Sequence, residues 1–391
     1  MAVELNLLLS QISHMDVSII AGKKGLSNMV NWVHMIETAE ASTFLEGGEI
    51  AFATGIGLNN NLTILELVES IYSRRAAGVF LNIGPFIENI PKEVVEFGNS
   101  KNFPIFTVPW KTHIAEIMRI FSSTLVKSEQ TAMEIASAFK YAIFFPKQEE
   151  LYFFPLSEHG FRSDWNYYST IIYIDNTDSP LPNHHSYDYV CLEITNYLTH
   201  HKYKNFSIFF NDNQLIAIAG NYSENLLKKF VLDIEDYLTR FLPKLQHFYI
   251  TTGKSTKSIR CLYKSYNQAK CLQNFIMSRK KEEKILNYSD MGIYKLLLGI
   301  EDQDIIREYY DKTIAPLIAY DDKNGSDLAD VLWCYLSHNG SVRDTADELF
   351  LHRNTVNYKL NKAGEILNLN LSNLDIRLQL TIGFMLRDMI N

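Results

Sequence analysis

The stretch from Ser341 to Leu367 constrains the fold of this chain more than any other, because it has the pattern of two short helices joined by a tight turn. Ser341 is a suitable N-cap, since its hydroxyl can accept a hydrogen bond from a free amide of the first helical turn. Three apolar residues recur at helical spacing and are expected to bury one face of the first helix: Ala346, Leu349 and Phe350.

The second helix is predicted to begin near Arg353, after a turn at Leu351 and His352 that contains no glycine. Its inward positions again follow the helical repeat: Val356, Leu360, Ala363 and Leu367. Two helices of this length around so short a turn predict a helix-turn-helix.

The outward face of the second helix is polar and cationic, with Arg353, Asn354, Thr355, Asn357, Tyr358, Lys359 and Lys362. Arginine and asparagine can bind base edges in a major groove, whereas lysine and tyrosine can bind phosphates. We assign base reading to the first four residues and backbone contacts to the last three, and we add Ser341 and Arg343 of the first helix to the DNA-binding set. The alternative is an ordinary helical hairpin with a solvated face. Residues 326–391 hold six Lys/Arg against eight Asp/Glu, so only the second helix is locally basic.

The string HRNTVNYKL, with a last helix running DIRLQLTIGFMLRDM, resembles the C-terminal helix-turn-helix of the PucR/CdaR family of bacterial transcriptional regulators. The run upstream of it, from YKLLLGIEDQD to YLSHNGS, is also similar to the segment that precedes the motif in that family. The resemblance implies a DNA-binding regulator, which helical periodicity alone does not.

Length and composition limit the number of domains, the kinds of partner and the location that we expect for this chain. A chain of 391 residues with 47% apolar residues is long enough for two or three domains with real cores. The net charge of −8 argues against nucleic-acid binding over the whole surface. The four cysteines lie far apart without paired metal spacing, so we expect reduced, buried thiols, no metal site and no cofactor. The N-terminus lacks the features of a signal peptide and no apolar run suits a membrane span, so we expect a cytoplasmic protein.

Residues 1 to about 130 alternate between strand and helix patterns, which predicts an α/β domain with a parallel sheet. Ligands of such sheets bind beyond the C-terminal strand ends, here at Thr54–Gly57, Asn82–Pro85 and Pro109–Trp110. The glycine pattern TGIGL lacks the full dinucleotide spacing, so ordinary turn chemistry is favoured over nucleotide binding.

The segment NWVHMIETAEASTFLEGGEIAFATGIGL resembles the N-terminal PucR domain, which implies a sensory domain for a small metabolite. The candidate effector-binding residues are His34, Glu37, Glu49, Thr54 and Gly55. The alternative is that residues such as Trp32 and His34 simply pack the sheet. A long helix from Thr112 to about residue 150 follows, with an apolar stripe that includes Ile117, Phe121 and Val126. It is either a dimer-forming connector or a helix packed on its own domain.

Residues 151–285 show the order strand, helix, β-hairpin, helix, strand, helix, and with IRCLYKSYNQAKCL they resemble the CdaR GGDEF-like domain. A diguanylate cyclase needs two carboxylates at its Gly-Gly-Asp-Glu-Phe turn to bind metal and phosphate. The matching residues here are Asn211–Leu215, in which both carboxylates are amides. We therefore predict no cyclase activity. The adjacent histidine pairs 184–185 and 200–201 are poor chelates, because neighbouring side chains diverge.

These observations predict three parts: an α/β sensory domain at 1–130 with a connector to about 150, an α+β degenerate GGDEF-like domain at 151–285, and an all-α region at 286–391 with a linker and the helix-turn-helix. The resemblance implies a ligand-responsive regulator, not an enzyme, of purine, amino-acid or related nitrogen and carbon catabolism. The expected partners are an operator in double-stranded DNA, a metabolite effector and a second copy of the chain, since two-part operators mirror dimers. Two alternatives are a nucleotide-binding enzyme built on the N-terminal sheet and a protein-interaction scaffold.

Overall fold

A computed structural model of the protein describes residues 2–58, 62–175, 187–241, 247–279, 284–297, 299–300 and 302–390. The chain divides into two compact units. The first comprises Met1–Tyr167, Ile174–His247 and Thr256–Tyr263, and the second comprises Tyr168–Tyr173, Phe248–Ser255 and Lys264–Asn391. The three predicted domain boundaries stay predictions.

The N-terminal part of the first unit is an α/β fold. Its elements in chain order are β1 (Val3–Glu4), α1 (Leu5–Gln11), β2 (Ser18–Ala21), β3 (Met29–Val30), β4 (Trp32–Met35), β5 (Glu49–Ala53), α2 (Ile64–Ser73), β6 (Gly78–Ile83), α3 (Lys92–Lys101), β7 (Ile105–Pro109) and α4 (Ile114–Phe144). The main sheet has the order β2-β7-β6-β5-β4, in which β4 to β7 are parallel and the edge strand β2 is antiparallel to β7. The predicted parallel sheet is therefore confirmed.

A cross-strand aromatic row forms the centre of this core. Phe52, Phe80 and Phe106 are partners in register on β5, β6 and β7, and their ring centroids are 4.8 and 4.5 Å apart. Phe121 of α4 meets Phe80 edge-on at 5.7 Å, so α4 covers the row from one side. The predicted stripe on α4 is confirmed at Ile117 and Phe121, which are completely buried, and wrong at Val126, which is 41% exposed.

The helix α2 shows how local sequence sets one boundary and tertiary structure the other. Thr63 and Glu66 form the capping box at its start, as Thr63 predicts. The helix ends at Ser73, before any glycine or proline of the sequence would stop it. Arg75 adopts a left-handed conformation, with φ 59°, and the amide of Ala77 already donates to Glu49 at 2.7 Å.

The next elements are α5 (Phe153–Glu158), β8 (Tyr167–Ile174), α6 (Tyr187–His200), β9 (Phe206–Asn211), β10 (Gln214–Gly220), α7 (Glu224–Phe241), β11 (Phe248–Thr252), α8 (Leu262–Arg279) and β12 (Ile285–Asn287). The predicted hairpin is confirmed, because β9 and β10 pair antiparallel from Asn211↔Gln214 to Phe206↔Ala219. Its two turn residues, Asp212 and Asn213, both have positive φ, as a type I′ turn requires. The His184–His185 pair and the lysine-rich residues 280–283 lie outside the described part of the chain.

The C-terminal part of the second unit is helical, with α9 (Tyr294–Leu297), α10 (Gln303–Thr313), α11 (Ala315–Asn324), α12 (Leu328–Ser337), α13 (Val342–Glu348), α14 (Arg353–Leu367) and α15 (Leu374–Ile390). The residues that fill its core come from five of these helices and include Leu317, Leu332, Ala346, Val356, Leu360, Leu380 and Phe384. The predicted all-α C-terminal region is thus confirmed. In the described part of the chain, no helix is long and apolar enough to cross a membrane.

Candidate nucleic-acid interface

The helices α13 and α14 form the predicted helix-turn-helix. The Ser341 hydroxyl accepts a hydrogen bond from the Asp344 amide at 3.2 Å, which confirms the predicted N-cap of α13. Val356 and Ala363 of α14 are completely buried and Leu360 is 7% exposed, so the inward face predicted for this helix is confirmed at these positions. The outward face is fixed by the same periodicity.

The turn between the helices differs from the prediction at one residue. Phe350 was expected to pack inward, but it is 95% exposed, so that prediction is wrong. The helix α13 ends at Glu348, and Phe350 adopts a left-handed conformation with φ 53° that turns its side chain away from the core. An aromatic side chain is thereby exposed two residues before the N-cap of α14.

The N-terminal turns of α14 present the residues that we assigned to base reading. Arg353, Asn354, Thr355 and Asn357 are all exposed. Within the residues that the structure describes, no hydrogen bond or ion pair engages these four side chains. Tyr358 lies on the same face and is 68% exposed. Unpaired arginine and asparagine side chains at the start of a second helix are able to bind base edges in a major groove.

The lysines that we assigned to phosphate contacts are already paired. The Lys359 ammonium donates to both carboxylate oxygens of Asp327, and its side chain is only 21% exposed. Lys362 lies 3.3 Å from Glu365 on the helix surface, and this hydrogen bond raises the pKa of Lys362, so it is charged at neutral pH. Arg343 of α13 is 3.9 Å from Asp347. Lys359 is therefore the least exposed of the three cations, whereas the ion pairs of Lys362 and Arg343 lie on the open helix surface and are easily exchanged.

The start of α14 has a functional residue that we did not assign from the sequence. His352 is the N-cap, and its Nδ1 accepts the Asn354 amide at 3.2 Å. This bond fixes the backbone at the first helical turn, where base-reading side chains begin. The sequence signal was the histidine directly before Arg353, because a side chain that accepts a hydrogen bond at this position can act as a cap.

In the N-terminal sheet, three of the candidate effector-binding residues form one cluster. The Glu37 carboxylate accepts hydrogen bonds from the Thr54 amide at 2.9 Å, the Thr54 hydroxyl at 2.7 Å and the Gly55 amide at 3.0 Å. Gly55 has φ 84°, and a Cβ there would lie 2.5 Å from Ile87 Cγ1, so only glycine fits. We call Glu37, Thr54 and Gly55 the Glu37 turn. It lies at the C-terminal end of β5, where parallel sheets bind ligands.

The other two effector candidates lie elsewhere on the sheet. Glu49 is 6% exposed and its carboxylate accepts the amides of Glu46 and Gly47, both at 2.8 Å. It stands at the start of β5, about 16 Å from the Glu37 turn at the usual rise of a strand. His34 is half-buried on β4, in register with Ala51. The structure thus separates Glu49 from the Glu37 turn.

The hairpin turn whose sequence we compared with the cyclase motif is made of amides and one carboxylate. Asn211 donates to Asp212 at 2.8 Å, while Gln214 and Leu215 at the start of β10 are 2% and 0% exposed. Asn213 and Gln214, the positions that the sequence comparison predicts for the carboxylates, are uncharged and do not provide the charge needed to bind two Mg²⁺ ions.

The C-terminal geometry defines a class of protein, the helix-turn-helix proteins that insert a second helix into DNA. Comparison with known families agrees. Residues 328–386 match the PucR C-terminal helix-turn-helix domain, and residues 7–125 match the purine catabolism regulatory protein-like family, PucR. The chain therefore carries a PucR-family domain at its N-terminus and a PucR-type helix-turn-helix at its C-terminus.

Three relatives are transcriptional regulators rather than enzymes. The proline-responsive transcriptional activator PutR of Bacillus subtilis (strain 168) is 32% identical over 139 residues, which cover 35% of this chain and 34% of that protein. The purine catabolism regulatory protein of the same organism is 27% identical over 122 residues, 31% of this chain and 23% of that protein. The carbohydrate diacid regulator of Escherichia coli (strain K12) is 29% identical over 154 residues, 39% of each chain. The aligned segments thus span less than half the length of these relatives.

Proposed function

We propose that this protein is a DNA-binding transcriptional regulator that responds to a small metabolite of purine, amino-acid or related nitrogen and carbon catabolism. The observation that carries the proposal is the outer face of α14, where four base-reading side chains are exposed and unpaired among the described residues, within a PucR-type helix-turn-helix. The pathway class is supported by the names of the relatives, which concern proline, purines and carbohydrate diacids.

The N-terminal α/β domain is the sensory part in this proposal. Its Glu37 turn lies at the C-terminal end of β5, where parallel sheets bind ligands, and its internal hydrogen bonds hold the backbone that would line such a site. The effector acts by binding more tightly to one of two arrangements of the protein, because a ligand shifts an equilibrium only by its difference in affinity. The central residues 151–285 form a degenerate GGDEF-like domain without cyclase activity, and the amides at Asn213 and Gln214 support this assignment.

The operator is proposed to be a two-part site bound by a homodimer. One small helix-turn-helix reads only a few base pairs, so two copies are needed for specificity. The long helix α4 supports this arrangement, because Met133 and Tyr141 on its second half remain exposed and offer apolar surface to a second chain.

The experiment is a gel shift with the full chain and the DNA upstream of its own gene and neighbouring genes. Arg353→Ala is expected to lower affinity and relax the preference at one base pair by about 1–3 kcal/mol, since a bidentate contact to a base is lost. The matched control is Arg119→Ala, which removes an exposed arginine of α4 and should leave binding unchanged.

Equal losses from Arg353→Ala and Arg119→Ala would show that only overall charge matters and would exclude base reading by Arg353. Failure of the unmodified chain to shift any upstream fragment, with the chain folded, would contradict the proposed function itself.

A further inference from the structure

A second group of side chains in the helical region has the chemistry of a metal site. Cys334 on α12 and His338, the residue that caps the end of this helix, are one helical turn apart. Glu348 is the last residue of α13. The Cys334 Sγ, a ring nitrogen of His338 and a carboxylate oxygen of Glu348 all lie within 4.8 Å of one another. Residues at the end of α12 and the end of α13 thus place sulfur, nitrogen and oxygen donors around one point.

The histidine is oriented as a metal-binding histidine usually is. Its Nδ1 is 2.9 Å from the Cys334 carbonyl oxygen and therefore donates its proton there. In metal sites, a ligating imidazole commonly donates its other ring N–H to a backbone carbonyl, which fixes the tautomer. The Nε2 of His338 is left facing Glu348 Oε2 at 3.0 Å.

A positive charge is needed between these two atoms. An imidazole lone pair and a carboxylate oxygen repel each other at 3.0 Å unless a proton or a cation lies between them. A proton between the two atoms satisfies this requirement. A bound cation satisfies it equally, and it would also bind the Cys334 sulfur, which lies 3.7 Å from Nδ1 of the same imidazole.

We propose that Cys334, His338 and Glu348 bind a divalent ion of the zinc type, and that this ion joins α12 to the first helix of the helix-turn-helix. Sulfur, imidazole and carboxylate together suit Zn²⁺, which prefers tetrahedral sites. Zinc–donor bonds of about 2.0–2.3 Å place tetrahedral donors about 3.3–3.6 Å apart, so the three side chains need to move by about 1 Å or less.

The burial of the three groups fits an open site. Cys334 is 6% exposed, whereas the side chains of His338 and Glu348 are 29% and 59% exposed. The ion enters from the solvent side, where water supplies the fourth ligand. Burial, followed by the charge of Glu348, raises the pKa of the Cys334 thiol. Metal binding therefore releases the thiol proton to solvent, and affinity increases with pH.

The sequence holds part of the signal for this site. Cysteine and histidine at i and i+4 share one helix face, which is a usual spacing for two ligands of one ion. The four cysteines are too widely spaced to indicate a metal site by themselves. The third ligand, Glu348, comes to the same point only in the tertiary fold. The proposal does not depend on DNA binding, since none of the three residues is on the outer face of α14.

The test is a Co²⁺ titration of the full chain after treatment with a chelator and dialysis. We expect one equivalent to bind and to produce the thiolate-to-cobalt charge-transfer absorption in the near ultraviolet, and we expect Zn²⁺ to displace it. Cys334→Ser should abolish this absorption. The matched control is Cys261→Ser, which removes another thiol and should preserve it.

Glu348→Gln provides a second test that does not depend on the buried thiol, because its side chain is largely exposed and the substitution is isosteric. We expect it to weaken Co²⁺ binding by about tenfold or more while leaving the helical content unchanged. Zn²⁺ should also raise the Tm of the unmodified chain and not that of Cys334→Ser, since only a ligand of the folded state stabilises it.

Three results would overturn the proposal: no thiolate absorption in the unmodified chain, the same absorption in Cys334→Ser, or undiminished affinity in Glu348→Gln.

Discussion

The Glu37 turn and the outer face of α14 are both rich in polar groups, but the fold uses them in opposite ways. Glu37 makes three hydrogen bonds, all to the segment after β5, so its carboxylate is occupied in the folded chain. Arg353 and Asn357 extend from a helix whose opposite side is buried, and no partner engages them among the described residues. A polar group that stabilises the fold is thus distinguished from one that can bind another molecule by its partners, not by its residue type.

The first and largest expected effect tests the Glu37 turn. Glu37→Ala removes the acceptor of two backbone amides and a hydroxyl, and hydrogen bonds to a charged group contribute about 1.5–3 kcal/mol. We expect the free energy of opening of the β5 amides, measured by hydrogen exchange, to fall by about 3 kcal/mol. The control is Glu40→Ala, an exposed carboxylate on the neighbouring turn. If the β5 amides are equally protected from exchange in Glu37→Ala and Glu40→Ala, the Glu37 carboxylate does not stabilise this part of the sheet. Glu37 then becomes a stronger candidate for ligand binding.

The second effect compares the two faces of α14 at adjacent residues. Val356 is completely buried, so Val356→Ala should lower the free energy of unfolding of the helical region by about 2 kcal/mol. Asn357→Ala should change that free energy by less than about 0.5 kcal/mol, because its side chain is exposed, and it should weaken operator binding. Thermal unfolding and gel shifts of the two variants measure both quantities. A large loss of stability in Asn357→Ala would show that this face is also structural.

The smallest effect separates the two lysines of α14. Lys362→Ala is expected to flatten the dependence of log Kd on log salt by about one unit, as the loss of one phosphate contact should. Lys359→Ala should change the slope less, because Asp327 already neutralises its ammonium. A salt titration of operator binding measures both slopes. The reverse order would mean that DNA displaces Asp327 from Lys359.

The helical repeat of apolar residues was sufficient to predict the buried face of α14 in the C-terminal region. Val356, Leu360 and Ala363 recur at helical spacing, and each packs in the core because only one face of such a helix can be buried. The caps at Ser341 and Thr63 were equally predictable, since capping depends on residues within one turn of the cap. The hairpin turn at Asp212 and Asn213 belongs to the same group, because both residues tolerate positive φ.

Other features depended on contacts between distant residues. Asp327 holds Lys359 from 32 positions away, so no local pattern could show that this lysine is engaged. Phe350 fits an apolar helical repeat, yet α13 ends two residues before it and the left-handed turn exposes the ring. Glu37 and Glu49 both look like free acids in the sequence, but each carboxylate is bound to backbone amides of a neighbouring turn.

The sequence by itself determined the α/β class of the N-terminal region, the all-α class of the C-terminal region and the side of α14 that faces outward, because hydrophobic periodicity and capping act over a few residues. Tertiary structure alone decided which polar side chains remain available. In the folded chain, the Glu37 carboxylate is hydrogen-bonded, Lys359 is paired with Asp327, and the side chains of Cys334, His338 and Glu348 lie close together. The physical reason is that a hydrogen bond, an ion pair or a metal site depends on distance in space, and the sequence specifies that distance only through the completed fold.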